Sequence, residues 1–278
     1  MTPELRCPVC SATLYPDHPD HPRSLRCAEG HTFDRAKQGY WNLLLAQRKR
    51  SRAPGDNEQM VLARQRFLEQ GYYQPIATAI TETLQPLLQP LVQPQLLDLG
   101  CGEGYYTRQI AKQLYHTTCI GLDISKAAIR EASKQDKTST WLVATGADIP
   151  LPEASSDAAT LIFARLLPEP TARILKPGGY FLVVWPGPDH LRELREQIYT
   201  EVRDSDLNPD AQLHEYFEVI STQTLRFRFG ISDTQSLSDL LMMTPHGQRL
   251  SQSRREQLLT LDRLEIQGDI RLSLYRKR

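Results

Sequence analysis

The 278-residue chain contains no apolar run near the roughly 20 residues that a membrane span needs, and no apolar segment of signal-peptide type near its start. Neither a membrane protein nor a secreted one is expected. Net charge is also lacking: 33 Lys and Arg balance 33 Asp and Glu, so no global field draws the chain to a polyanion. Cysteine is sparse. There are five, an odd number, with three in the first 27 residues, which excludes a secreted disulfide framework and fits a reducing cytoplasm. No internal repeat is visible. What the chain does have is 40% hydrophobic residues, enough for a sizeable core. Its charge is unevenly spread: residues 1–55 hold nine Lys and Arg against five Asp and Glu, giving +4 there and −4 elsewhere. A local basic surface can bind phosphate where the whole chain is neutral.

The early cysteines form a pattern. Cys7-Pro8-Val9-Cys10 is a C-x2-C knuckle, and Cys27 with His31 closes it as C-x3-H after sixteen intervening residues. Three thiolates and one imidazole at this spacing suit tetrahedral zinc in a closed structural site. Residues 1–34 are too few to bury a core unaided, and one Zn2+ would supply the missing folding energy. His18 and His21, outside the paired knuckles, rank below these four. Cys101 and Cys119 fall in or beside apolar strands and read as inert packing.

A second pattern lies at Leu96-Leu97-Asp98-Leu99-Gly100-Cys101-Gly102-Glu103-Gly104-Tyr105-Tyr106, a buried strand running through a tight glycine loop into a helix. The loop is G-x-G-x-G, with the third glycine one place too early for the dinucleotide pattern G-x-G-x-x-G. A short loop carrying an acid, Glu103, suits a cationic ligand without phosphate, such as S-adenosylmethionine. Asp98 is expected to face the ammonium end of the methionine moiety. Asp123 closes a second strand about twenty residues on, where an acid can accept both ribose hydroxyls. Asp148 follows the third strand, at a place suited to the adenine. Taken singly, each acid reads more readily as a helix cap than as a ligand. In order, with Lys176-Pro177-Gly178-Gly179 before a fifth strand, they point to S-adenosylmethionine in an α/β, Rossmann-like fold of methyltransferase class I.

The remaining organisation is coarser. Residues 1–34 read as a zinc finger, 35–94 as a basic connector with helices, and 95–278 as the methyltransferase domain. Asp56 is a plausible N-cap for a helix reaching Gln70, and a second helix covers about 75–84. The three prolines of residues 85–95 predict a linker or broken helix. Strands are expected near 95–99, 118–123, 140–144, 157–163 and 179–185, alternating with helices near 105–115, 125–135 and 168–175. A charged helix near 189–203, a strand at 225–229, two helices and a hairpin near 261–276 complete the chain. Arg48, Lys49, Arg50 and Arg52 read either as a solvated linker or as phosphate contacts. Tyr40 and Trp41 could stack on RNA bases or pack the finger onto the main domain.

On these motifs the chain resembles the bacterial 23S rRNA (guanine-N1)-methyltransferases, the RlmA group. The likeness rests on the Cys7, Cys10, Cys27 and His31 finger, on Phe33-Asp34, Gly39-Tyr40 and Asn42-Leu43-Leu44, and on the run from Lys49 to Arg52 followed by Pro54-Gly55-Asp56. It continues through Ala63-Arg64, Phe67-Leu68, Tyr73, the glycine loop, Pro186-Gly187-Pro188, His190-Leu191 and Met243-Thr244-Pro245. The resemblance implies a finger that helps hold an rRNA hairpin beside the methyl donor, with Tyr73, Gly102, Glu103 and His190 touching S-adenosylmethionine. It also allows a homodimer presenting two fingers to one RNA. Read from the residues alone, Tyr73 is a helix-end packing residue and His190 a surface histidine or helix cap. One departure stands out: Arg165 follows Phe163-Ala164 where relatives carry proline.

No Asn/Asp-Pro-Pro-Tyr/Phe motif follows the fourth strand, which argues against an exocyclic adenine amine as acceptor. No cysteine sits there either, which argues against covalent pyrimidine C5 chemistry. Two other readings compete: a small-molecule methyltransferase with a structural finger, and a non-catalytic relative that binds zinc and S-adenosylmethionine.

Overall fold

A computed structural model of the chain describes residues 3–48, 54–202, 208–247 and 250–278. Its N-terminal part is a four-stranded antiparallel ribbon of β1 (Leu5–Arg6), β2 (Thr13–Pro16), β3 (Ser24–Arg26) and β4 (Thr32–Asp34), paired in sequence order. Strands this short enclose no core of their own. Leu5, Leu14 and Leu25 are nonetheless buried, because they share an apolar cluster with Leu97, Ile149 and Leu151 of the main domain.

The main domain begins with β5 (Trp41–Asn42), then α1 (Glu58–Glu69) and α2 (Gln74–Leu88). Next come β6 (Gln95–Leu99), α3 (Tyr105–Gln113), β7 (Thr118–Asp123), α4 (Lys126–Gln135), β8 (Thr140–Val143), β9 (Ser156–Ile162), α5 (Pro168–Ile174) and β10 (Leu175–Pro186). The chain closes with α6 (Arg192–Ile198), α7 (Asp210–Leu213), β11 (Phe217–Ile231), α8 (Thr234–Met243), α9 (Gln252–Leu258) and β12 (Leu264–Lys277). The eight strands lie in the order β11-β12-β10-β9-β6-β7-β8-β5. Strands β5 to β10 run parallel, and β12 is antiparallel to both its neighbours.

Alternate residues of each strand feed opposite faces. Leu96, Ala158, Leu182 and Val184 enter one cluster with α2, α3 and α8, whereas Leu97, Ala159, Phe181 and Val183 enter the other. No α-helix joins β8 to β9; a short 3-10 turn, Gly146–Asp148, does. The ribbon docks on that segment, with the Arg6 amide bonded to the Pro150 carbonyl at 3.0 Å. It therefore covers apolar surface that a crossover helix commonly covers in such folds.

The expected alternation of strands and helices is present, with five differences. Helix α2 runs on through Pro86, because Leu84 and Leu88 are buried and their burial outweighs one missing backbone bond. The N-cap of α1 is Asn57, whose side chain accepts from the Met60 amide at 3.0 Å, and not Asp56. The charged helix after Pro186 is confined to α6. The terminal hairpin is a single strand, β12, paired along its length with β11. Gly268 sits in mid-strand because an added Cβ would lie 2.4 Å from the Phe227 ring; it marks a close approach and not a turn. The connector also contributes a strand: β5 pairs with β8, burying Tyr40 and Trp41, so neither ring is open to RNA.

Candidate functional site

The strand order reverses between β6 and β9, and open α/β sheets bind ligands at such a switch point, beyond the strands' carboxyl ends. Two segments meet there. The glycine loop leaves β6 with Gly100, Gly102 and Gly104 all at left-handed φ, +75°, +57° and +81°. A Cβ on Gly104 would lie 2.4 Å from Trp141, so packing as well as φ demands glycine there. A Cβ added to Gly102 would meet only the Arg64 side chain, with Nη1 at 3.5 Å, so space remains beside this glycine. The other segment leaves β9 at Phe163-Ala164. The Ala164 Cβ lies 2.8 Å from where a Cβ on Gly100 would be, so this chain crosses directly over the loop.

The acids have distinct duties. Asp98 is buried, with Oδ2 accepting from the Thr107 hydroxyl at 2.5 Å and Oδ1 from Thr160 at 2.8 Å. Burial pushes its carboxyl up to about 6 against the pull of those bonds. Asp98 was expected to face a ligand; its contacts instead fasten α3 to β9. Asp123 Oδ2 accepts from the Gly102 amide at 3.0 Å and Oδ1 from the Ser125 amide at 2.7 Å, so it shapes the loop. Burial raises its pKa too. Glu103 is buried, its carboxyl pushed up to about 7 by burial despite Arg64 nearby, and its Oε2 has no hydrogen-bond partner.

Three elements close the site. Helix α1 carries Arg64, ion-paired to Asp56 at 2.5 Å; burial works against its charge, but Asp56, Glu103 and Asp123 keep it protonated. Tyr73, at the start of α2, is buried with its phenol 3.4 Å from His190 Nε2. Burial raises the Tyr73 pKa well above that of a free phenol. His190 sits in the turn after β10, where its amide donates to the Gly187 carbonyl and the Asp189 amide donates to Asp269 Oδ2. Burial, with His246 adding, brings the imidazole down to about 4, so it is neutral at pH 7. His190 Nδ1 and the Tyr106 hydroxyl are buried without a partner, as is Glu103 Oε2.

Buried polar atoms without partners are uncommon and call for a ligand. Glu103 Oε2 lies in the glycine loop, the Tyr106 hydroxyl on the helix that follows it, and His190 Nδ1 in the turn after β10. Contacts join Gly102 to Asp123 and Arg64 on one side, and Tyr73 to His190 and Phe163 on the other, with Ala164 crossing over Gly100 between them. Asp148, also expected to meet the donor, has its carboxylate ion-paired to Arg6 at 2.5 Å, which ties the ribbon to the sheet. Of the basic run, Lys49, Arg50 and Arg52 lie outside the described residues, and Arg48 ends a 3-10 turn, Ala46–Arg48.

In the ribbon, Cys7, Cys10, Cys27 and His31 place their ligand atoms within 4.8 Å of one another. The Cys10–Cys27 sulfur separation is 3.6 Å, and His31 Nδ1 lies 3.3 Å from Cys27 Sγ and 3.7 Å from Cys7 Sγ. A zinc tetrahedron with bonds of about 2.3 Å to sulfur and 2.0 Å to nitrogen has edges of roughly 3.5–3.8 Å, so the four atoms fit the ion. Burial opposes ionisation of Cys27, but its bonds with His31, Cys10 and Cys7 bring the thiol down to about 7.

Comparison with known proteins agrees with both sites. The model of the RlmA N-terminal zinc ribbon matches residues 5–52, and that of a methyltransferase domain matches residues 97–183. A 23S rRNA (guanine(748)-N(1))-methyltransferase from Streptomyces fradiae is 34% identical over 87% of this chain and 84% of its own length. The chain belongs to the 23S rRNA (guanine-N1)-methyltransferase family. A relative from Micromonospora griseorubida, named a putative 23S rRNA (guanine-N(1)-)-methyltransferase, is 30% identical over 99% of this chain and 98% of its own. A solved structure from work on disulfide-to-thioacetal conversion in echinomycin biosynthesis shares the fold, with TM-score 0.50 and 16% identity over 71% of this chain and 81% of that one. As a family member the chain is a methyltransferase that takes S-adenosylmethionine and carries a zinc ribbon. Among the described residues no helix is long and apolar enough to cross a membrane.

Sequence reasoning missed Arg64, Tyr106 and Phe163. Arg64 and Tyr106 lie in stretches shared with the family, but nothing in the sequence sets them apart from helix-face residues. Phe163 carries no sequence signal, since an aromatic at a strand end reads as core.

Proposed function

We propose that this protein transfers a methyl group from S-adenosylmethionine to N1 of a guanine in a hairpin loop of 23S rRNA, in the cytoplasm. The observation that carries this reading is the joining of the two sites. The ribbon is fixed by shared core and by Arg6–Asp148 to the segment after β8, beside the cleft, in a chain 34% identical to a 23S rRNA guanine-N1 enzyme.

In this reading Gly102 admits the donor, Gly100 lets the loop turn beneath Ala164, and Glu103 and Asp123 supply carboxylates for the donor's hydroxyl and amine groups. Tyr73 and His190 close the cleft over it with neutral polar edges. Asp148 serves by holding the ribbon. When bound, S-adenosylmethionine would supply an electrophilic methyl group: its S–C bond would break as the N1–C bond forms, S-adenosylhomocysteine would leave, and the N1 proton would pass to solvent. The residues bind, orient and keep water out; methyl transfer needs little covalent help beyond that alignment. Arg48, Lys49, Arg50 and Arg52 would meet RNA phosphates, a salt-sensitive contact. A homodimer offering two ribbons to one RNA is compatible with this arrangement.

The test is incubation of the purified protein with S-adenosylmethionine and unmodified 23S rRNA transcript, followed by primer extension. One new stop at a guanine is expected. An unchanged pattern overturns the reading.

A further inference from the structure

Phe163 is the first residue after β9 and stands at the switch point. Its amide still donates to the Val184 carbonyl at 3.0 Å, yet its φ is +53°, a left-handed conformation that a bulky side chain rarely adopts. The residue is 40% exposed, while the preceding Leu161 and Ile162 are buried. Folding has thus placed a strained, open aromatic ring where the strand ends over the glycine loop. Backbone strain of this kind collects at functional sites.

The ring is supported from behind. It stacks on His190 with centroids 5.9 Å apart and planes 13° apart, and Tyr73 lies 6.3 Å away at 50°. Tyr73 in turn meets Phe67, Phe227 and Phe229 edge-on. Phe163 is therefore the exposed end of an aromatic stack rooted in the core. Unpaired bases of RNA loops are held by stacking on such faces, and a purine offers the widest one.

We propose that the target guanine, swung out of its loop, stacks on the Phe163 ring and is thereby held with its N1 edge towards the methyl donor in the glycine cradle. This rests on the rRNA reading above. Phe163 is then a substrate-binding residue, and His190 positions its ring.

The experiment compares wild type with Phe163→Leu, which keeps apolar bulk without a flat face, and Phe163→Tyr, which keeps the ring. The readouts are zinc content, S-adenosylmethionine affinity by calorimetry, and methyl transfer to unmodified 23S rRNA transcript. Phe163→Leu is expected to lose roughly 10- to 100-fold in kcat/KM for rRNA. Its zinc and donor affinity should stay within about twofold of wild type, and Phe163→Tyr should restore turnover. Wild-type-like rRNA turnover by Phe163→Leu, or an equal loss of donor affinity, overturns the stacking role while leaving the rRNA reading intact. Wild type inert on rRNA overturns both.

Discussion

The ribbon and the parallel sheet bury their residues by different means. The ribbon has four strands of two to four residues and depends on four ligand atoms meeting at one ion. The sheet holds itself by many close contacts, such as Gly104 and Gly121 against Trp141, and by strands buried on both faces. The ribbon is held at one point together with a small apolar seam on the main domain, whereas the sheet is stabilised over an area. A point can be removed by a chelator, whereas an area must be eroded residue by residue.

Removing zinc has the largest expected effect. Structural zinc sites in isolated fingers contribute on the order of 10 kcal/mol to folding at neutral pH. Strong chelation, or Cys7→Ser, should strip about one zinc per chain and abolish hydrogen-exchange protection in residues 5–34. Protection in β6, β7, β9 and β10 should persist. Loss of protection in both regions together would erase the contrast.

Eroding the sheet is the reverse experiment. Gly104→Ala combines a left-handed φ with a Cβ 2.4 Å from Trp141, and should destabilise the main domain by about 3 kcal/mol in denaturant unfolding. The ribbon should keep its zinc. Unchanged stability would mean that Trp141 yields and the contact is not tight.

A smaller effect concerns pH. The Glu103 carboxyl is held up near 7, against 4.5 for a free one. Its folded pKa is raised, so its contribution to stability is fully present below about 4.5 and is lost as pH rises through about 7. A cationic ligand beside it favours the ionised form. S-adenosylmethionine affinity should therefore rise by up to about tenfold from pH 6 to pH 8, and Glu103→Gln should flatten that slope. A flat wild-type profile would place Glu103 away from the donor's charge.

The same contrast explains what could be read from sequence. The ribbon ligands and the glycine loop were legible because their chemistry fixes spacing: two knuckles around one ion, and glycines where φ must be positive. The alternation of β6 to β10 was legible from apolar runs. Contacts distant in sequence were not. Pro86 inside α2, Gly268 inside β12 and the edge strand β5 depend on packing partners up to 101 residues away, as Trp41 pairs with Leu142. Asp148 looked like a ligand acid because its partner, Arg6, lies 142 residues earlier. Phe163 was silent because a left-handed φ at a strand end follows from what the chain crosses next, here Gly100.

The central claim is that ribbon and cleft form one rRNA guanine-N1 methyltransferase. Its most direct test is nucleoside mass spectrometry of unmodified 23S rRNA after incubation with the zinc-loaded protein and S-adenosylmethionine. 1-Methylguanosine is expected as the new nucleoside, at no more than one per rRNA and absent with Cys7→Ser. A different methylated nucleoside, or none, would contradict it.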